Sequence, residues 1–197
     1  MAVTEDNEKR FEEDIESYLL THGGYTKGTQ ETYDREKAIS VSTLIAYLEE
    51  TQANEWRKYQ SVYPNKTPEQ LVKRLNDQIS TNGLLHVLRH GIVDRGVRLK
   101  VASFRPETSL NTTVVRDYNA NKLEVVRQFH YSTDNNNSID MVLLLNGIPV
   151  VALELKNQIK GQTVDNAKKQ FMYDRDKRET CFQFNKRFLV YFAVDLH

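Results

Sequence analysis

With a single cysteine, Cys181, the chain can form no internal disulfide and no multi-cysteine zinc cluster. That thiol follows a helical segment with no low-pKa surroundings, so it reads as packing rather than as a nucleophile. Neither sign of charge prevails: 27 lysines and arginines balance 27 aspartates and glutamates, which excludes a strongly basic coat for non-specific nucleic-acid binding. Any contact with DNA is then local, or shared with other domains. No apolar run approaches the uncharged length of a membrane span, and the opening MAVTEDNEKR lacks a signal-peptide core, so a cytoplasmic protein with no membrane partner is expected. There is no G-x-x-x-x-G-K-[ST] phosphate loop, and hence no ATPase of the chain's own. What is present, 197 residues with 39% hydrophobic and 27% charged content, fits one large domain over residues 1–197 with a sizeable core.

The most informative stretch is NSIDMVLLLNGIPVVALELKNQ, residues 137–158. Ile139–Leu145 and Pro149–Lys156 are short and aliphatic on both parities, so both read as strands buried on two faces. Asn146-Gly147 between them signals a hairpin. In the second strand the pleat sets Val151, Leu153 and Leu155 against Val150, Ala152, Glu154 and Lys156. Whether Asp140 shares the face of Glu154 depends on register. A strict two-residue turn pairs 145 with 148 and sends Asp140 to the wrong side, whereas a three-residue connection over 146–148 pairs 145 with 149 and 140 with 154. The longer turn is expected.

Asp140, Glu154 and Lys156 are the only ionisable groups in this apolar hairpin, and buried charge needs a metal or a partner charge. Two carboxylates sharing a face, with a lysine two residues beyond the second, suit Mg²⁺-assisted hydrolysis of a phosphodiester. Hard oxygen ligands, few in number, describe a Mg²⁺ site that keeps waters and takes ligands from substrate phosphate. Lys156 then holds the attacking water or the scissile phosphate. The plainer alternative is a salt-bridged strand pair with no chemistry.

Elsewhere the pattern is helical at first. Phe11, Ile15, Tyr18 and Leu19 recur at helical spacing until Gly23-Gly24, after a frayed polar start over residues 1–8. Residues 28–39 read as a loop. Helices follow from a Ser42 cap through Glu49, from Asn54 to Pro64, from a Thr67 cap with Pro68 at the first turn, and from Leu84 to Ile92. Residues 42–92 thus form a helical layer expected against one sheet face. His86 and His90 stand four apart, but Val87 occupies the zincin glutamate position and no third ligand is evident. Strands are expected at 97–104, 123–131 and 188–194, with 107–121 a loop, so the catalytic core spans about 97–195. Arg127 and His130 on the 123–131 strand can reach phosphate or a metal-bound water, or face solvent. A helix capped by Thr163 runs to about Asp176, and the charged group 174–176 reads as its last turn. The sum is an α/β sandwich around one mixed sheet.

The segments LEVVRQFHYS (123–132), SIDMVLLLNGIPVVALELKNQ (138–158), TVDNAKKQFMYDRD (163–176), FLVYFAVD (188–195) and FEEDIESYLLTHGGYTKG (11–28) resemble the N-terminal nuclease domain of HsdR. This is the restriction (motor) subunit of type I restriction-modification enzymes, in the PD-(D/E)xK nuclease superfamily. The resemblance implies a restriction-endonuclease-like mixed central sheet flanked by helices. It also implies a Mg²⁺-dependent endonuclease that cuts double-stranded DNA, with Asp140 and Glu154 as metal ligands. Glu12 matches the first-helix acid that can sit near the metal, beside its reading as a solvated first-turn acid. The helix after the hairpin matches a Q-x-x-x-Y segment through Gln170, while position 174 is Asp and the tyrosine, Tyr173, comes one residue early. The same likeness implies that the chain is a fragment continuing into motor domains, and that modification and specificity subunits are partners. ATP and S-adenosylmethionine belong to that complex and not to this fragment. The competing readings are a nuclease-fold DNA-binding or assembly module without cleavage, and a repair nuclease of the same superfamily.

Overall fold

The computed structural model describes residues 2–156 and 164–195, so Asn157, Gln158, Gly161 and the expected Thr163 cap lie outside the described residues. Helix α1 spans Ala2–His22, followed by the two-residue strands β1 (Thr26–Lys27), β2 (Tyr33–Asp34) and β3 (Ile39–Ser40). Helices α2 (Val41–Thr51), α3 (Ala53–Val62), α4 (Thr67–Asn82) and α5 (Leu84–His90) come next, then a small hairpin of β4 (Ile92–Asp94) and β5 (Val97–Leu99). After α6 (Thr112–Asn119) come β6 (Leu123–His130), β7 (Ser138–Leu145), β8 (Ile148–Lys156), α7 (Val164–Lys169) with a π turn over Gln170–Asp174, and β9 (Val190–Asp195). The main sheet has the order β1-β6-β7-β8-β9; β6, β7 and β8 are antiparallel neighbours, and β9 runs parallel to β8 after the α7 crossover.

The hairpin places Asp140 and Glu154 together, but not by the expected turn. Asn146 and Gly147 both have positive φ, 50° and 79°, the geometry of a two-residue hairpin turn, and Leu145 pairs with Ile148. The register then shifts between Leu143 and Leu144, with Val150 as the extra residue, so that Leu143 pairs with Val151 and Met141 with Leu153. One step further along, Asp140 is level with Glu154. The correction is one of location: the odd residue sits in β8, not in the turn. The turn itself is pinned by buried Asn146, whose side chain accepts from the Lys122 N–H at 2.7 Å and donates to the Val101 carbonyl at 2.9 Å. Gly147 lies against Ser40, whose N–H donates to the Gly147 carbonyl at 2.8 Å, leaving no room for a side chain.

Two apolar clusters cover the sheet. On one side α1 lays Phe11, Ile15, Leu19 and Leu20 over Val125, Met141, Leu153 and Leu155. Tyr18, expected in that stripe, is instead 65% exposed and stacked on His22, with Leu20 taking its place. On the other side Val126, Phe129, Ile139, Val142 and Ala152 meet Tyr33, Ala38, Cys181 and Phe188. The helices α2–α5 do not lie flat on either face. Their own core, with Leu44, Leu71, Leu75 and Ile79, meets the sheet at the hairpin's turn end through Ile148, Val150 and Leu145.

Other boundaries moved for identifiable reasons. The α2 cap position is Ser40 rather than Ser42, and Thr67 lies inside α4, where its hydroxyl donates back to the Tyr63 carbonyl at 2.6 Å. The 97–104 strand shrinks to Val97–Leu99 and pairs with β4 outside the main sheet. Helix α6 replaces part of the 107–121 loop; it is capped by the Asn111 side chain and buries none of its residues.

Candidate active site

Antiparallel pairing of β7 and β8 brings two carboxylates to one place near the ends of buried strands. The half-buried Asp140 accepts the backbone N–H of Leu155 on Oδ2 at 2.7 Å. Glu154, 1% exposed on β8 between β7 and β9, has one oxygen on the Arg175 guanidinium. Its other oxygen, Oε2, has no hydrogen-bond partner and lies 3.7 Å from the Lys156 ammonium. Burial, and then the charge of Asp140, push the Glu154 carboxyl up to about 7, against the pull of Arg175 and Lys156. Asp140, Glu154 and Lys156 are therefore brought together as the spacing suggested.

Glu12 approaches Asp140 from α1. It lies in the middle of α1, not in a first turn, and is 7% exposed, so the solvated-acid reading does not hold. Its oxygens accept from Arg127 Nε at 3.1 Å and Gln128 Nε2 at 2.7 Å. Burial raises its carboxyl above the usual range, the two hydrogen bonds oppose this, and the nearby Asp140 charge adds to the rise. Gln128, at φ 46°, interrupts the alternation of β6 so that it and Arg127 both turn toward α1.

The candidate DNA contacts fare differently. Arg127 is held by Glu12 at 3.1 Å, by Glu16 at 3.4 Å and by Glu13 at 3.5 Å, with its side chain 19% exposed. His130 engages the Asn136 carbonyl at 2.9 Å through Nδ1, within the polar turn after β6. Tyr173 is 74% exposed on the π turn, away from the buried carboxylate. Gln170 begins that turn, and its side chain lies outside the described residues. His86 and His90 stack on each other at 4.2 Å on α5, with the His90 ring on the His86 carbonyl.

Arg175 is the site residue that the sequence did not reveal; its place in a charged trio suggested a solvated helix end. It is instead 7% exposed, donates to the Tyr131 hydroxyl at 3.0 Å, and lies 5.3 Å from the centre of the Tyr131 ring. The available signal was chemical: a buried Glu154 demands a partner charge.

The arrangement suits a hard divalent cation in one respect, the buried and unsatisfied Oε2 of Glu154 beside a second carboxylate. Among the described residues, no three His, Cys, Asp or Glu side chains cluster closely enough to hold a metal by themselves. The remaining ligands would have to come from water or substrate, as Mg²⁺ sites commonly arrange.

Fold and site define a mixed α/β protein whose main hairpin carries an acidic pair, Glu154 buried and Asp140 half-buried. Over residues 6–196 the sequence matches the family described as type I restriction enzyme R protein N terminus (HSDR_N), and the chain belongs to that family. No curated protein gives a significant match. No helix among the described residues is long and apolar enough to cross a membrane.

Proposed function

We propose that this chain is the Mg²⁺-dependent endonuclease part of a type I restriction enzyme, hydrolysing phosphodiester bonds of double-stranded DNA. The observation that carries the reading is the Asp140–Glu154 pair on adjacent strands, with Glu154 Oε2 buried and bare beside Lys156. Asp140 and Glu154 would hold the cation, and Glu12 would reinforce the negative potential from α1. Such a cation supplies charge neutralisation at phosphate and a more acidic water. The chain's own residues do the positioning. The Leu155 N–H fixes the Asp140 carboxylate, and Arg175 fixes one oxygen of Glu154. Lys156 sits where an ammonium can hold a phosphate oxygen or orient a water for attack.

The family's name supports placing this chain at the N terminus of an R protein. On that basis motor domains of the same polypeptide deliver the DNA, modification and specificity subunits read the site, and the complex works in the cytoplasm. The balanced charge of the chain fits a domain that receives DNA from others.

A second reading is a nuclease-fold module that binds or assembles without cutting. One observation favours it: Glu12 and Glu154 each already rest on an arginine, a self-neutralised network that can be purely structural. Calorimetric titration of Mg²⁺ and Mn²⁺, with and without a short duplex, separates the two. The nuclease reading expects binding that disappears in Asp140→Asn and Glu154→Gln proteins that still melt cooperatively. Absence of binding even with duplex present would support the second reading.

A further inference from the structure

We infer that Arg175 is a positioning residue for Glu154, and that through it the segment after the hairpin acts on the site. The inference rests on the nuclease reading above and adds to it a residue outside the Asp, Glu and Lys set. The segment over 164–174 would otherwise touch the site through Tyr173, but that ring is 74% exposed. Arg175 emerges from the π turn Gln170–Asp174, whose extra residue rotates the direction in which the next side chain points. It is buried where Tyr173 is not.

Its guanidinium is fixed on several sides. Nη2 pairs with Glu154 Oε1, Nη1 donates to the Tyr131 hydroxyl at 3.0 Å, and the group lies 5.3 Å from the Tyr131 ring and 6.0 Å from that of Phe182. A planar fork seated against two aromatic rings can hold a carboxylate in one orientation, which a lysine ammonium on a flexible stem cannot do. The consequence for Glu154 is specific. One oxygen is taken, and the other is left without a hydrogen bond, beside Lys156. Arg175 thus decides which oxygen of Glu154 is available and where it points.

The test is Mn²⁺ titration of the whole chain in the presence of a short duplex, with thermal melting of each variant alongside. Arg175→Met should weaken Mn²⁺ binding on the order of 10–100-fold, the range seen when a partner behind a metal ligand is removed. Arg175→Lys restores the charge without the two-point hold and should fall between the two. Tyr131→Phe removes only the hydroxyl behind Arg175 and should weaken binding in the same direction by less. In the R protein carrying Arg175→Met, the Mn²⁺ concentration that gives half-maximal DNA cleavage should rise, a shift that a smaller folded fraction, which lowers only the maximal rate, does not produce. Should Arg175→Met fail to melt cooperatively, Arg175→Lys and Tyr131→Phe decide the matter. Wild-type Mn²⁺ affinity in the folded Arg175 and Tyr131 variants, with binding abolished in Glu154→Gln, overturns this inference and leaves the nuclease reading standing. Wild-type affinity in Glu154→Gln overturns both.

Discussion

At the scale of single residues, the site is a set of buried charges that would be costly without one another. Glu154 at 1% exposure and Glu12 at 7% are tolerated because Arg175 and Arg127 meet them, and removing one partner of such a pair leaves an uncompensated charge costing roughly 3–5 kcal/mol. Arg127→Met is therefore expected to lower stability by about that amount in chemical denaturation, since Glu12 and Glu13 lose their cation and Glu16 keeps only Lys27, 3.5 Å away. Cys181 gives a separate test. Burial pushes its thiol up to about 12, from an ordinary value of 9.0, so it stays protonated in the folded chain. Because the folded value is the higher one, the associated stability is fully present below the unfolded value and is lost as pH rises toward 12. Alkylation at mildly alkaline pH should be slow until denaturant unfolds the chain; rapid labelling of the native protein would show Cys181 to be accessible. The three ionisable groups of the hairpin were legible in the sequence because charge inside an apolar run is conspicuous. Arg175 was not, because its role depends on a tertiary closure onto Glu154 across a π turn, and its neighbours Asp174 and Asp176 made it look like part of a polar surface.

At the scale of elements, the β7–β8 hairpin makes the site, and its register is set by two devices. Asn146 and Gly147 fix a tight turn, and the bulge at Val150 restores the pairing that puts Asp140 level with Glu154. Because Val150 is the unpaired residue, deleting it should leave Asp140 level with Glu154 and keep Mn²⁺ binding, whereas inserting an alanine after Val151 should carry Glu154 one position past Asp140 and abolish binding even if the sheet re-forms. Retained binding in the insertion variant would mean that the pairing of Asp140 with Glu154 does not set the site. Gly147→Ala forces a left-handed backbone on a residue with a side chain and drives a methyl group into Ser40, so a loss of at least about 1–2 kcal/mol in denaturant titration is expected. The hairpin was readable because Asn-Gly between two aliphatic runs is a strong local signal. The bulge was not, since nothing in the composition of β8 marks Val150 as the extra residue. Strands of two residues, such as β1–β3, carry no periodicity to read, and their pairing is decided by β6 and by each other.

At the scale of the whole molecule, the candidate site and a second apolar core occupy two regions. The α2–α5 helices and the β4–β5 hairpin build a core at the turn end of the sheet, while α1 and the segments over 33–40 and 181–188 clamp the faces that carry the site. Leu75→Ala in the helical core should cost about 2–5 kcal/mol of stability and leave Mn²⁺ affinity unchanged. A parallel fall in affinity would show the two regions to be coupled. The sequence indicated the helical region correctly but not its place. Helical periodicity says which face of a helix is buried and not what it is buried against, so a layer flat on the sheet and a core at its end look alike from the sequence.

The most direct measurement is DNA cleavage by the assembled restriction enzyme whose R protein carries Asp140→Asn or Glu154→Gln, with ATP-driven translocation followed in the same samples. The account predicts that both variants translocate as the wild type does and cut no DNA. Cutting at the wild-type rate by either variant would contradict it.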